Sequence, residues 1–244
     1  MDDDDDDMPS LPADTLSLLD DFAAEKNARA KRFEELKLQA ESNFDATNGG
    51  TLSMDLFGED WNASQFWYTD ETARTLAKQL LQDVTASSCI AVVSAPSVYI
   101  ALRNILSEDD SILKPRLCLL EYDKRFEVFG DDFVLYDFLN PLRLPAKLKG
   151  TFDRIICDPP FLSEDCQTKT ALTVRFLARS WSSVREPDGL RLISCTGERM
   201  EAVIVKLYAK VGVKTTTFEP AHSKGLSNEF WCYANFECGD WEWR

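Results

Sequence analysis

A single α/β domain built on a mostly parallel sheet is the fold class this sequence predicts, on three observations. Short apolar runs recur along residues 84–236 and alternate with segments of helical spacing, the signature of strands buried on both faces beneath helices. The last two runs have only residues 219–229 between them, too few for a crossover helix, so they pair antiparallel. At 244 residues, 44% hydrophobic and 28% charged, the chain buries one sizeable core, and no internal repeat divides it.

The elements follow in order. Residues 1–13 combine the aspartates at 2–7 with Pro9 and Pro12, too polar to pack, and read as a disordered acidic tail. Residues 14–60 read as an amphipathic helix and a linker. Leu16, Leu19, Phe22, Phe33 and Leu36 recur at mostly helical spacing, and Asn48-Gly49-Gly50 breaks the chain after them. The compact domain is placed at 61–244. Its aromatic-rich approach, residues 61–69, runs into a helix with Asp70 and Glu71 in the first turn, where carboxylates suit the helix dipole. Strands are expected at 89–94, 116–121, 132–137, 153–158, 190–195, 214–218 and 230–236, and helices at 97–106, 164–181 and 198–209.

Net charge is −15, and the aspartate run accounts for only six of those charges, so the body is acidic as well. An acidic surface disfavours stable binding to bare nucleic acid and attracts a basic protein partner. Lys206, Lys210, Lys214 and Lys224 are too dilute among acidic neighbours to make a nucleic-acid patch. No apolar run approaches the roughly 18–20 residues of a membrane span, and the N-terminus carries no basic segment before an apolar stretch. The expectation is a soluble cytoplasmic protein with no membrane contact. Seven cysteines lack any C-x-x-C pair, and Cys89, Cys118, Cys157 and Cys195 fall in expected strands. Reduced core thiols are therefore expected, not disulfides or a metal site.

Ligands of open α/β sheets bind beyond the carboxyl ends of the strands. After the first strand comes Ser94-Ala95-Pro96-Ser97. No G-x-G occurs anywhere, which excludes the P-loop and the ordinary dinucleotide fingerprint, yet small residues here still allow close approach of a ligand or simply make a tight turn. After the second comes Glu121-Tyr122-Asp123, at the separation where an acidic residue receives ribose hydroxyls. A carboxylate offers two acceptors to a diol, while helix capping explains Asp123 equally well. Asp137 ends the third strand, placed to accept from an adenine amine or to cap a turn.

The fourth end, Asp158-Pro159-Pro160-Phe161, is sharper. Two prolines fix φ and remove two donors, leaving carbonyl acceptors, a carboxylate and an aromatic face. Such a site holds an amine nitrogen with its lone pair aimed at an electrophile, and Phe161 packs on the nitrogen or a transferred methyl. Asn228, Glu229 and Phe230, at the start of the last strand, line that pocket or merely close a hairpin. His222 is the only histidine, and the sequence places neither a serine nor a cysteine as its catalytic partner, so a hydrolytic triad is disfavoured.

The order of these motifs resembles the seven-strand, Rossmann-like S-adenosylmethionine-dependent methyltransferases, and DPPF resembles the [DN]-P-P-[YFW] signature of those that methylate amine nitrogens. The longer strings SQFWY at 64–68, VSAPSVY at 93–99, EYDKRF at 121–126, DPPFLS at 158–163 and NEFWCY at 228–233 are similar to the protein-lysine methyltransferases acting on translation elongation factor 1-alpha. The same DPPF motif once placed that family among adenine-specific DNA methyltransferases. The resemblance spans about residues 61–236. It implies S-adenosylmethionine as cofactor, with Ser94, Ala95, Pro96 and Ser97 replacing the usual Gly-rich loop, Glu121 with Tyr122 at the ribose and Asp137 near the adenine. It further implies Phe66, Trp67, Tyr68 and Thr69 at the methionine end, and Asp158 to Phe161 orienting the lysine amine, with Trp67 and Tyr68 helping to desolvate it. Two other readings stay open: adenine amine methylation in DNA or RNA, and a non-catalytic binding module that kept the fold.

Overall fold

The computed structural model describes residues 52–57, 65–186, 188–225 and 229–244, together with isolated positions between 24 and 42. The acidic tail and most of the expected N-terminal helix lie outside the described residues. Within that helix, Ala24, Lys31, Glu34, Glu35, Leu38 and Ser42 are helical and exposed.

Seven strands form one sheet: β1 (Cys89–Val93), β2 (Arg116–Glu121), β3 (Phe133–Leu135), β4 (Arg154–Cys157), β5 (Arg191–Gly197), β6 (Lys214–Thr215) and β7 (Phe230–Ala234). Their order is β3-β2-β1-β4-β5-β7-β6. Strands β1 to β5 pair in parallel, and β7 runs antiparallel to both β5 and β6, as expected of two runs too close for a crossover helix. The chain winds outward from β1 to β3 and then in the other direction from β4, so the strand order reverses between β1 and β4. A crevice opens at such a reversal.

Alternate residues of each central strand enter opposite cores. Ile90 and Val92, Leu117 and Leu119, and Ile156 face one layer, against α1 (Asp70–Leu81) and α2 (Pro96–Glu108). Ala91 and Val93, Cys118 and Leu120, and Ile155 and Cys157 face the other, against α3 (Glu164–Leu177) and α4 (Glu201–Leu207). Helix α1 buries Ala73, Leu76, Ala77 and Leu80 at i, i+3, i+4 spacing, and Thr69 caps its start by accepting from Thr72 N. Its C-terminal carbonyls are satisfied from the sheet: Arg154 donates to Leu80 and Gln82, and Arg191 to Gln79.

Several boundaries differ from the expected ones for local reasons. Helix α3 stops at Leu177 and not at 181, because the amides of Thr151 and Phe152 take the Leu177 carbonyl. The helix expected at 198–209 begins with a 3-10 turn, Glu198–Met200, and ends by Gly212, whose φ of 82° reverses the chain. Two 3-10 turns within Lys124–Asp132, separated by a kink at Gly130 (φ 58°), follow β2 where the sequence predicts no element. The core also reaches back to Met54–Phe57: the Phe57 ring is fully buried and stacks on Phe126 at 4.4 Å. All seven cysteines are free thiols. Among the described residues no helix is long and apolar enough to cross a membrane.

Candidate active site

The crevice at the β1/β4 reversal is a cavity of about 600 Å³. The ends of four parallel strands supply its floor: Ser94 to Ser97 after β1, Glu121 and Tyr122 at β2, Asp137 after β3, and Asp158 to Phe161 after β4. The Asp158 amide donates to Val93 O at 3.0 Å, locking the two central ends together. Phe66, Trp67 and Tyr68 close one side, with His222 and Phe230 beside them.

Ser94 sits at φ 55°, a left-handed conformation that glycine adopts at little cost and a serine does not. Its amide donates to Leu120 O, so the turn is held from β2. Ser97 accepts from Tyr68 N at 3.2 Å, tying the approach segment to the start of α2.

Glu121 is buried, and its Oε1 accepts from the amides of Tyr122 at 2.8 Å and Asp123 at 3.2 Å. Among the described residues Oε2 takes no hydrogen bond, and the carboxyl borders the cavity. Burial pushes this carboxyl up to about 7 against the opposing pull of those two amides. Asp123 behaves differently. Its carboxylate makes a buried ion pair with Arg125 at 2.6 Å, accepts from Arg125 N, and accepts from Gln65 Nε2 at 2.8 Å. The Arg125 guanidinium returns a bond to Gln65 Oε1 at 2.9 Å, so the pair anchors the segment that carries Tyr68. The sequence reading treated Asp123 as a cap, which it is, and missed this anchor; the buried charges of the EYDKRF string were the available signal.

Asp137 borders the cavity, but its oxygens accept from Leu139 N at 2.9 Å and Asn140 Nδ2 at 2.8 Å, the turn-capping reading in full. Thr69 does not line the cavity: it caps α1 and donates its amide to Ala221 O. Trp67 borders the cavity with its indole nitrogen turned into the core, donating to Phe57 O at 3.0 Å. Tyr122 and Phe161 reach solvent, at 70% and 45% exposure, and so form the rim. Asn228 lies outside the described residues. Glu229 stands exposed beyond the lining, where its carbonyl accepts from the Glu198 amide at 3.0 Å and its side chain raises the Glu198 pKa.

The part of the cavity beyond β4 centres on Asp158. The Tyr68 hydroxyl donates to its Oδ2 at 2.6 Å, while Oδ1 and the carbonyls of Pro159 and Pro160 take no bond from the described residues. Desolvation pushes the Asp158 carboxyl up to about 8; the bond from Tyr68 pulls it down and the Glu121 charge adds to the rise. The Tyr68 phenol is itself held well above its ordinary value by burial and by Asp158. Aromatic rings flank this point on both sides. His222 lies 5.0 Å from Tyr68 and 4.8 Å from Phe230, and Phe138 lies 5.4 Å from Phe161. His222 is thus a wall residue, bridged in antiparallel fashion to Tyr68.

This donor set fits S-adenosylmethionine. The unengaged Glu121 oxygen offers an acceptor to hydroxyl groups, small residues after β1 allow backbone approach, and the carboxyl groups of Glu121, Asp137 and Asp158 offer polar partners to a cation.

Over residues 59–238 the chain matches the family model described as Probable N6-adenine methyltransferase. It is 43% identical over 238 residues to the Protein-lysine N-methyltransferase EFM5 of Saccharomyces cerevisiae, covering 96% of this chain and 94% of that protein. It is 40% identical to the EEF1A lysine methyltransferase 1 of Gallus gallus, covering 98% and 99% of the two chains. With the EEF1A lysine methyltransferase 1 of Homo sapiens the identity is 39%, covering 96% and 95%. A solved structure of the branched-chain polyamine synthase from Thermus thermophilus aligns with a TM-score of 0.51 at 11% identity, covering 82% of this chain and 65% of that one, a likeness of fold alone.

Proposed function

The chain belongs to the family described as Probable N6-adenine methyltransferase, together with the EEF1A lysine methyltransferases, and from that membership we propose that it methylates a lysine of translation elongation factor 1-alpha. When bound, S-adenosylmethionine supplies an electrophilic methyl group on a sulfonium. Glu121 would hold its ribose, and the Ser94 to Ser97 turn its amino-acid end. The compact domain, which the sequence reading starts at residue 61, carries all of these groups, and a cytoplasmic setting suits such a substrate.

The observation that carries the proposal is the Tyr68–Asp158 bond at the floor of the cavity. Tyr68 fixes Oδ2, which leaves Oδ1 and the proline carbonyls to receive the N–H groups of an amine and aim its lone pair into the cavity. Lysine's ammonium, with an ordinary pKa of about 10.4, must lose a proton before it can act as a nucleophile. An aspartate raised to about 8 is, once ionised, a far stronger base than a free one, so the ionised form of Asp158 docks the ammonium and accepts its proton on the way to water. Tyr68, His222, Phe230, Phe138 and Phe161 exclude water and favour the neutral amine.

Lysine is favoured over adenine by charge. Three carboxyl groups line the cavity beside one guanidinium, that of Arg199, and the whole chain carries −15, which suits a cationic side chain on a basic protein and repels phosphate. The test is incubation with radiolabelled S-adenosylmethionine and, in parallel, purified elongation factor 1-alpha, adenine-containing DNA and RNA. Label is expected on the protein at lysine and resistant to nuclease. Label on nucleic acid alone overturns the substrate, and absence of any binding to the methyl donor overturns the enzyme.

A further inference from the structure

We propose that Gln167 is the positioning residue of the acceptor motif: it holds the peptide that follows Phe161 against the end of β5 and so sets where the motif's carbonyls and carboxyl group point. The inference rests on reading Asp158 to Phe161 as the amine site. Gln167 stands in the first turn of α3, completely buried, and does not itself line the cavity. Its Nε2 donates to Phe161 O at 3.1 Å and to Thr196 Oγ1 at 3.0 Å. One amide therefore spans from the last residue of the motif to a buried threonine of the neighbouring strand.

The orientation of that amide is dictated by chemistry, because the opposite orientation would set Oε1 against the Phe161 carbonyl oxygen. The chosen orientation leaves Oε1 buried and without a hydrogen-bond partner. A buried orphan acceptor costs free energy that an apolar side chain of the same length would avoid. Stability alone does not explain a glutamine here, whereas holding Phe161 O does.

The rest of the clamp acts on the next residue. Arg199 Nη2 approaches Leu162 O at 3.4 Å, and the Leu162 side chain lies over Gly197, where an added Cβ would meet both its methyls at 2.9 Å. Ser163 then caps α3. The consecutive carbonyls of Phe161 and Leu162 are thus both taken by side chains, one from α3 and one from the 3-10 turn that follows β5. Two prolines stiffen the chain before this point, so fixing Phe161 O at its far end defines the whole bend.

The test compares Gln167→Met, Thr196→Val and Asp158→Ala on the full chain, with elongation factor 1-alpha as substrate. Gln167→Met keeps the length, removes both donors and removes the orphan oxygen. It is expected to lower kcat about tenfold or more while the substrate KM and the donor Kd stay within about threefold and the melting temperature does not fall. Thr196→Val, which frees the amide without deleting it, is expected to lower kcat about threefold, and it carries the test should the methionine variant not fold. Full kcat in the glutamine and threonine variants, or a kcat loss that merely follows a fall in melting temperature, overturns the positioning role. If Asp158→Ala also keeps full kcat, the amine-site reading itself is what fails.

Discussion

The Tyr68 hydroxyl meets Asp158 Oδ2 at 2.6 Å across 90 residues of sequence, joining the segment before α1 to the turn after β4. That bond favours the ionised carboxyl and opposes the desolvation that raises it. Tyr68→Phe therefore raises the Asp158 pKa further. The expected result is a kcat lowered by about tenfold or more, with the acid limb of the pH–kcat profile moved to higher pH, while donor affinity changes by less than about threefold. An unshifted acid limb would remove Tyr68 from the mechanism.

Asp158 also sets a pH dependence of stability. In the unfolded chain its carboxyl ionises near 4, in the folded chain near 8, so between those values the folded state holds the extra proton. Stability consequently falls as pH rises through that window. Asp158→Asn removes the effect, so its advantage in melting temperature over the parent is near zero at about pH 4 and greatest at about pH 8. An advantage that does not vary with pH rules this account out.

Glu121, held up to about 7, is part protonated at neutrality. Only the ionised form presents both oxygens as acceptors to ribose hydroxyls. Affinity for S-adenosylmethionine therefore rises as pH passes upward through about 7, and Glu121→Gln weakens it by about tenfold and abolishes the trend. Titration calorimetry near pH 6 and near pH 8 reads both effects.

The buried Asp123–Arg125 pair is expected to be costly to break on one side. Arg125→Leu leaves an uncompensated carboxylate and destabilises by about 3 kcal/mol or more, measured by denaturant unfolding. Gln65→Leu spares the ion pair, unfolds close to normally, and weakens donor binding through the loosened Tyr68 segment.

The succession of strands along the chain, their mostly parallel pairing and the antiparallel last strand were legible because apolar runs and the connections between them carry that information locally. So were the residues of the strand ends. Gly-poor small residues, a carboxylate after β2 and a proline-stiffened carboxylate after β4 converge on one cavity because parallel strands point their carboxyl ends the same way. What the sequence hid was long-range pairing. Gln167 reads as an ordinary helical position, and nothing local says that it meets Phe161 and Thr196. The bridging role of Gln65 depends on two partners about 60 residues away. Likewise Phe57 falls before the expected domain start, and only its stacking on Phe126 shows that it belongs to the core.

The wall that joins Tyr68 to His222 and Phe230 has a consequence for synthesis. During translation the sheet from β1 to β5 is complete while His222 and the β7 hairpin have yet to be made, so the nascent polypeptide has the donor end of its cleft before it has an enclosed place for the amine. Truncation ahead of Phe230 would leave a species whose half-built cleft stands open to water, and the capacity to modify a substrate arrives only once β7 has been made.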